Sequence, residues 1–174
     1  MANHPVLIAG EWRKAQSRRS FSSENPALGE KLPGEYPVSD WADCDAALAA
    51  ATAAAAVLRA SAPDAIAAFL EAYAGRIEAR KDELVDVAHA ETGLPRAPRL
   101  ADVELPRTTG QLRQAAAGAR EGSWALPTID SKLNIRSVLA AIGPVWVFGP
   151  NNFPFAFNSV AGGDFGPRSP RATP

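Results

Sequence analysis

Gly143-Pro144-Val145-Trp146-Val147-Phe148-Gly149-Pro150-Asn151-Asn152-Phe153-Pro154-Phe155-Ala156-Phe157 is the stretch on which the reading of this chain turns. Val145 to Phe148 are apolar without a break, the pattern of a parallel strand buried on both faces. Glycine, prolines and two asparagines follow, so the strand ends in a sharp turn, with a helix expected beyond it. Strand, turn and helix in that order are how an open parallel sheet builds a site outside the carboxyl ends of its strands. The stretch predicts an α/β protein with its chemistry at the turn.

Working outward, Ile135, Val138 and Ala140 alternate as a second short strand just upstream. Before them lie four helical patterns. The Ala-rich run 41–60 has high helix propensity, with Ser39 as candidate N-cap and Asp40 and Asp43 near the positive end of the dipole. Ser61-Ala62-Pro63-Asp64 opens a second helix, whose Ile66, Phe69, Leu70, Tyr73 and Ile77 recur at helical spacing. A third covers residues 81–91, through Leu84, Val85 and Val87, until Gly93 and Pro95 end it. A fourth is expected over 100–118, with a kink or break near Pro106. At the amino terminus, residues 6–12 read as a short strand broken by Gly10, with a return strand beginning at Phe21. Residues 25–39 are punctuated by Pro26, Gly29, Pro33, Gly34 and Pro37, which leave a loop laid over a surface.

The turn and its flanks resemble the aldehyde dehydrogenase superfamily, in which a buried strand ends in a turn carrying Asn-Phe-Pro. The form Phe-Gly-x-x-Asn-Phe-Pro-x-Ala-Phe, with the later Gly162-Gly163-Asp164, is most similar to the 2,5-dioxopentanoate (α-ketoglutaric semialdehyde) dehydrogenases and related NADP-linked members. Leu7-Ile8-Ala9-Gly10-Glu11-Trp12, Asn25-Pro26-Ala27 and Glu91-Thr92-Gly93-Leu94-Pro95 agree with the superfamily. Arg107-Thr108-Thr109-Gly110-Gln111-Leu112-Arg113 and Glu121-Gly122-Ser123-Trp124 agree with that subfamily. The resemblance implies the amino-terminal portion of an aldehyde dehydrogenase fold: β arm, helical layer and first strands of the dinucleotide-binding domain. It implies oxidation of a small-molecule aldehyde to an acid, in which a thiolate adds to the carbonyl, hydride passes to NAD or NADP, and the acyl-enzyme is hydrolysed. It further implies a cytoplasmic, homo-oligomeric full-length enzyme.

Under this resemblance Asn152 matches the asparagine that stabilises the oxyanion, a role worth roughly 3 kcal/mol for one well-placed donor. Phe148, Gly149 and Pro150 match the strand end whose backbone faces the nicotinamide half of the cofactor. Each position also has a plainer reading. An asparagine beside a proline in a turn caps the next helix, and Gly162 and Gly163 read as turn glycines at a crowded point. Cys44 reads as a small packed residue, and His4 and His89 as solvated or packed imidazoles. Arg107 and Arg113 are candidates for a substrate carboxylate, against a competing role in surface ion pairs.

A chain of 174 residues with 47% hydrophobic and 21% charged residues has the composition of one globular domain. A net charge of -1 provides no basic footprint for nucleic acid. A single cysteine builds neither a disulfide framework nor a zinc site, which agrees with the cytoplasm. No apolar run approaches the roughly 20 residues that a membrane span requires, so a membrane is not an expected partner. The family draws its cysteine nucleophile and carboxylate base from segments beyond the Asn turn, so the chain corresponds to about a third of a full-length enzyme and is expected to be inactive alone. Residues 1–164 are read as the partial amino-terminal domain. The remainder, 165–174, departs from the family's continuation. Back-translated with G or C at each third position, one choice of codons gives Pro-Ala-Leu-Ala-Ala-Gly-His-Pro in a shifted frame, close to that continuation, so an out-of-frame tail is expected. The rival from another class is a non-catalytic helical binding module that uses its Ala-rich helices as an interaction surface.

Overall fold

Short strands open the chain because turn residues punctuate it every few positions. The computed structural model describes residues 4–158 and 160–163. Strand β1 (Val6–Ile8) turns back at once into β2 (Glu11–Arg13), with Ile8 opposite Glu11. Ala9 and Gly10 take φ of 55° and 82°, as a tight two-residue hairpin of this hand requires. The return strand expected at Phe21 is therefore already supplied by β2. Ala-Gly lacks the Asn-Gly or Asp-Gly signature that would have announced the turn. Phe21 belongs instead to β3 (Ser20–Phe21), which pairs with β6 (Tyr36–Pro37) around the small hairpin of β4 (Glu24–Asn25) and β5 (Glu30–Lys31).

The helices follow local signals closely. Helix α1 (Trp41–Ala60) holds eleven alanines and starts after Asp40 rather than Ser39. Helix α2 (Pro63–Ala79) begins on Pro63, whose missing N–H is harmless in a first turn. Helix α3 (Lys81–Thr92) is closed by Gly93 at φ 68°, whose N–H bonds the His89 carbonyl. A wide π-type segment, Arg96–Glu104, kinked near its start where Ala97 is extended (φ -122°, ψ 145°), then leads into α4 (Leu105–Glu121), so the expected break comes before Pro106 and this proline lies in the first turn of α4. Gly122 closes α4 at φ 74°.

Helices α2 and α4 form the main core. Leu70, Ala67 and Ala74 face Leu112, Ala116 and Ala119, and the small residues of α4 let the two backbones approach closely. Glu71 and Glu78 are two helical turns apart, as are Arg113 and Arg120, so antiparallel packing brings each acid to a base. Arg113 pairs with both oxygens of Glu78 at 2.6 and 2.7 Å, and Arg120 with Glu71 at 2.6 and 3.0 Å. A second core joins Val85 and Ala88 of α3 to Leu100 and Leu105, with Phe155 packed against it. Helix α1 lies apart from this pair, against β1. By length and composition α1 is apolar enough to cross a membrane. The expectation that no apolar run approaches that length is corrected at this helix, whose Asp43, Asp45 and Arg59 break up the alanines without lowering its mean hydropathy below that of a span. Asp43 is buried and accepts the Gln16 N–H at 2.9 Å, tying the helix to the β arm.

One expected strand is not formed. Strand β7 (Thr128–Asp130) pairs antiparallel with β8 (Ile135–Ser137), but residues 138–150 join no sheet among the described residues. Val145–Phe148 alternates half-buried and exposed side chains, and Phe148 is 87% exposed. Apolar, β-branched sequence favours extended backbone, but a strand also requires a neighbour to complete its hydrogen-bond ladder, and none is beside it. The helix expected beyond the turn is likewise replaced by short turns as far as the description extends. Residues 165–174, read as an out-of-frame tail, lie outside the described residues.

Candidate functional site

The Asn-Phe-Pro turn is held by its own backbone and by two residues from the π-type segment. Its first closing bond runs from the Phe157 N–H to the Phe153 carbonyl at 3.3 Å. In such a turn the N–H groups of Phe155 and Ala156 precede the first intra-turn donor and need an outside acceptor. Phe153, at the capping position, has no side-chain oxygen. Glu104 meets the need: its Oε1 accepts Phe155 N–H at 2.8 Å and Ala156 N–H at 3.1 Å. The Glu104 side chain is 2% exposed, and its Oε2 accepts Arg99 Nε–H at 3.2 Å. A buried carboxylate is tolerable only when its oxygens are paired in this way.

Arg99 reaches the other end of the turn. Its Nη2 donates to the Asn152 carbonyl at 3.0 Å, and its guanidinium sits 4.3 Å from the Phe153 ring centroid. Phe153 and Phe157 meet edge to face at 5.1 Å. Asn152 is exposed, and its side-chain amide makes no hydrogen bond among the described residues. The helix-capping role that an asparagine here would ordinarily take is filled by Glu104.

The other sequence candidates separate clearly. Phe148, Gly149 and Pro150 are all exposed, and Pro150 lines a cleft of about 560 Å³ together with Tyr73, Ile77, Leu84, Ala88 and Phe155. Burial of the Tyr73 ring raises its phenol pKa. Arg113 is committed to Glu78. Arg107 lies 5.1 Å over the Phe157 ring and has no carboxylate partner among the described residues. His89 is half-buried with Nδ1 donating to the Leu94 carbonyl at 2.7 Å, and the exposed His4 stacks on Tyr36 at 4.5 Å. Cys44 is half-buried on α1. A Cβ on Gly162 would come within 2.4 Å of the Asn158 nitrogen, so the crowding reading of that glycine holds. Among the described residues no group of His, Cys, Asp or Glu side chains can hold a metal ion.

Sequence reasoning passed over Arg99 and Glu104. The available signal was a carboxylate at position 104, four residues after Leu100 and next to Leu105. Its partners at 155 and 156 are too distant in sequence for any local pattern to reveal.

A sequence model described as the aldehyde dehydrogenase family matches residues 12–161. The alpha-ketoglutaric semialdehyde dehydrogenase 2 of Azospirillum brasilense is 40% identical over 168 residues, covering 91% of this chain and 31% of the relative. Among solved structures, succinate-semialdehyde dehydrogenase from Burkholderia pseudomallei superposes with a TM-score of 0.73 at 29% identity, covering 89% of this chain and 32% of that one. The Mycobacterium tuberculosis aldehyde dehydrogenase complexed with NAD+ superposes with a TM-score of 0.65 at 28% identity, over 74% and 27%. The chain spans about a third of the length of these relatives.

Proposed function

Because the chain belongs to the aldehyde dehydrogenase family, we propose that it is the amino-terminal portion of an NAD(P)-dependent enzyme that oxidises 2,5-dioxopentanoate to the acid. Asn152 is its oxyanion donor. The observation that carries this reading is the turn itself, tied at both ends by Arg99 and Glu104, with the Asn152 amide left exposed and without a hydrogen bond among the described residues. When a thiolate adds to an aldehyde, negative charge collects on the former carbonyl oxygen. An amide N–H fixed where that charge appears lowers the barrier because it need not reorganise during reaction. The substrate carries a carboxylate at its other end, and Arg107, beside the turn and without an acidic partner among the described residues, is the guanidinium available to it.

Phe148, Gly149 and Pro150 fit only part of a dinucleotide. They offer an open backbone edge, but carry no charge to meet a pyrophosphate and have no sheet beneath them among the described residues. No step is therefore assigned to the cofactor. The lone Cys44, half-buried on a helix that packs against the β arm, is a poor candidate for the nucleophile. In this reading the 174 residues alone do not turn over, and the working enzyme resides in the cytoplasm. The non-catalytic alternative has only the exposed α1 in its favour, and it leaves the bonded Asn turn without a purpose.

The test joins residues 1–163 to the remaining segment of the Azospirillum brasilense relative and follows oxidation of 2,5-dioxopentanoate. The hybrid should be active, and Asn152→Ala should lower kcat by about 10²- to 10³-fold with little change in KM. An Asn152→Ala hybrid as fast as its parent would remove the oxyanion role.

A further inference from the structure

We propose that Glu104 and Arg99 are a positioning pair: Glu104 caps the Asn-Phe-Pro turn from outside, and thereby leaves the Asn152 amide free to face the reacting oxygen. This rests on the reading of Asn152 given above. The first amides of a helical turn are ordinarily met by the side chain of the capping residue or one beside it, and asparagine is among the best residues for that task. Here two such amides, of Phe155 and Ala156, are bonded to a carboxylate 51 and 52 residues away. Were that acceptor absent, Asn152, next to the capping residue Phe153, is the asparagine placed to turn inward toward these amides and lose its exposed position. Arg99 completes the device. It neutralises the buried carboxylate through Oε2, holds the Asn152 carbonyl, and lies on the Phe153 ring. One end of the turn is thus fixed by an acceptor and the other by a donor, and the two are bonded to each other. Neither residue needs to touch the substrate.

The pair is tested first on the 174-residue chain by residue-resolved hydrogen exchange. Glu104→Ala leaves the part-buried amide of Phe155 and the buried amide of Ala156 without an acceptor, so both should exchange about tenfold faster or more, while amides of α2 stay as in the parent. Glu104→Gln keeps a carbonyl oxygen at the same place and should retain most of the protection. Unchanged exchange in Glu104→Ala, or equal loss in Glu104→Gln and Glu104→Ala, overturns the capping role. Should Glu104→Ala lose its helices, Arg99→Ala, at a partly exposed position, takes its place; exchange at Phe155 and Ala156 no faster than in the parent overturns the pair. In the hybrid enzyme, Glu104→Ala should lower kcat with KM nearly unchanged, and Glu104→Gln should restore most of it. If exchange behaves as expected but Asn152→Ala is fully active, the oxyanion reading fails and the cap stands. If Asn152→Ala is inactive while Glu104→Ala keeps full kcat, the positioning role fails and the oxyanion reading stands.

Discussion

At Asn152 the outcome depends on which side chain reaches two backbone amides first. A carboxylate from the π-type segment takes them, and the asparagine stays exposed. The same logic of single positions governs the core. Leu70 is fully buried between α2 and α4, while its neighbour Phe69 is 59% exposed, one step around the helix and off the packed face. Leu70→Ala should therefore cost about 2–5 kcal/mol of unfolding free energy through lost burial and the cavity left behind. Phe69→Ala, although it removes more atoms, should cost less than about 1 kcal/mol. Urea titration of both variants reads the difference, and equal losses would contradict the packing described here.

Between elements, the α2–α4 contact joins an apolar seam to a charged edge. Glu78 is held down to about 2 from its ordinary 4.5, first by the Arg113 hydrogen bond and then by the Thr109 hydroxyl. The Arg120 hydrogen bond lowers Glu71 in the same way. Because the folded value lies below the unfolded one, the contribution of Glu78 is fully present above about pH 4.5 and is lost as pH falls through about 2. Both partners are well exposed, so the effect on stability is modest. Acid should loosen the pairing of α2 and α4, and in Glu78→Gln the fall of Tm with pH across that window should be shallower than in the parent. Parallel curves for the two proteins would show that the ion pair does not contribute.

Across the whole molecule, the helical pair α2–α4 and the α3 cluster form the packed cores, while the described strands join no larger sheet. The described strands make four separate two-stranded pieces, each with open edges. Ile129, Ile135, Ile142, Trp146 and Phe148 are all exposed on or after the β7–β8 hairpin. Unpaired edges beside exposed apolar side chains recruit other chains. At micromolar concentration the chain should self-associate, and lysines at Ile129 and Ile142 should shift sedimentation toward monomer. A parent that sediments as a monomer over that range would show these surfaces to be harmless.

The four helices before residue 122 and the family are legible in the sequence. Alanine propensity, Pro63 at a helix start and Gly93 and Gly122 at helix ends act within one turn of chain, and so can be read locally. The Asn-Phe-Pro turn and its flanks identified the aldehyde dehydrogenase family in the same way, as a contiguous pattern. Other features depend on long-range packing. Phe21 pairs with Tyr36 because a tight Ala9-Gly10 turn had already given β1 its partner. Val145 to Phe148 join no sheet among the described residues because a strand is defined by its neighbour as much as by its residues. Glu104 became the acceptor for Phe155 and Ala156 because folding brought together groups some fifty residues apart. A contact of that kind depends on where two elements pack, and no local periodicity carries that information.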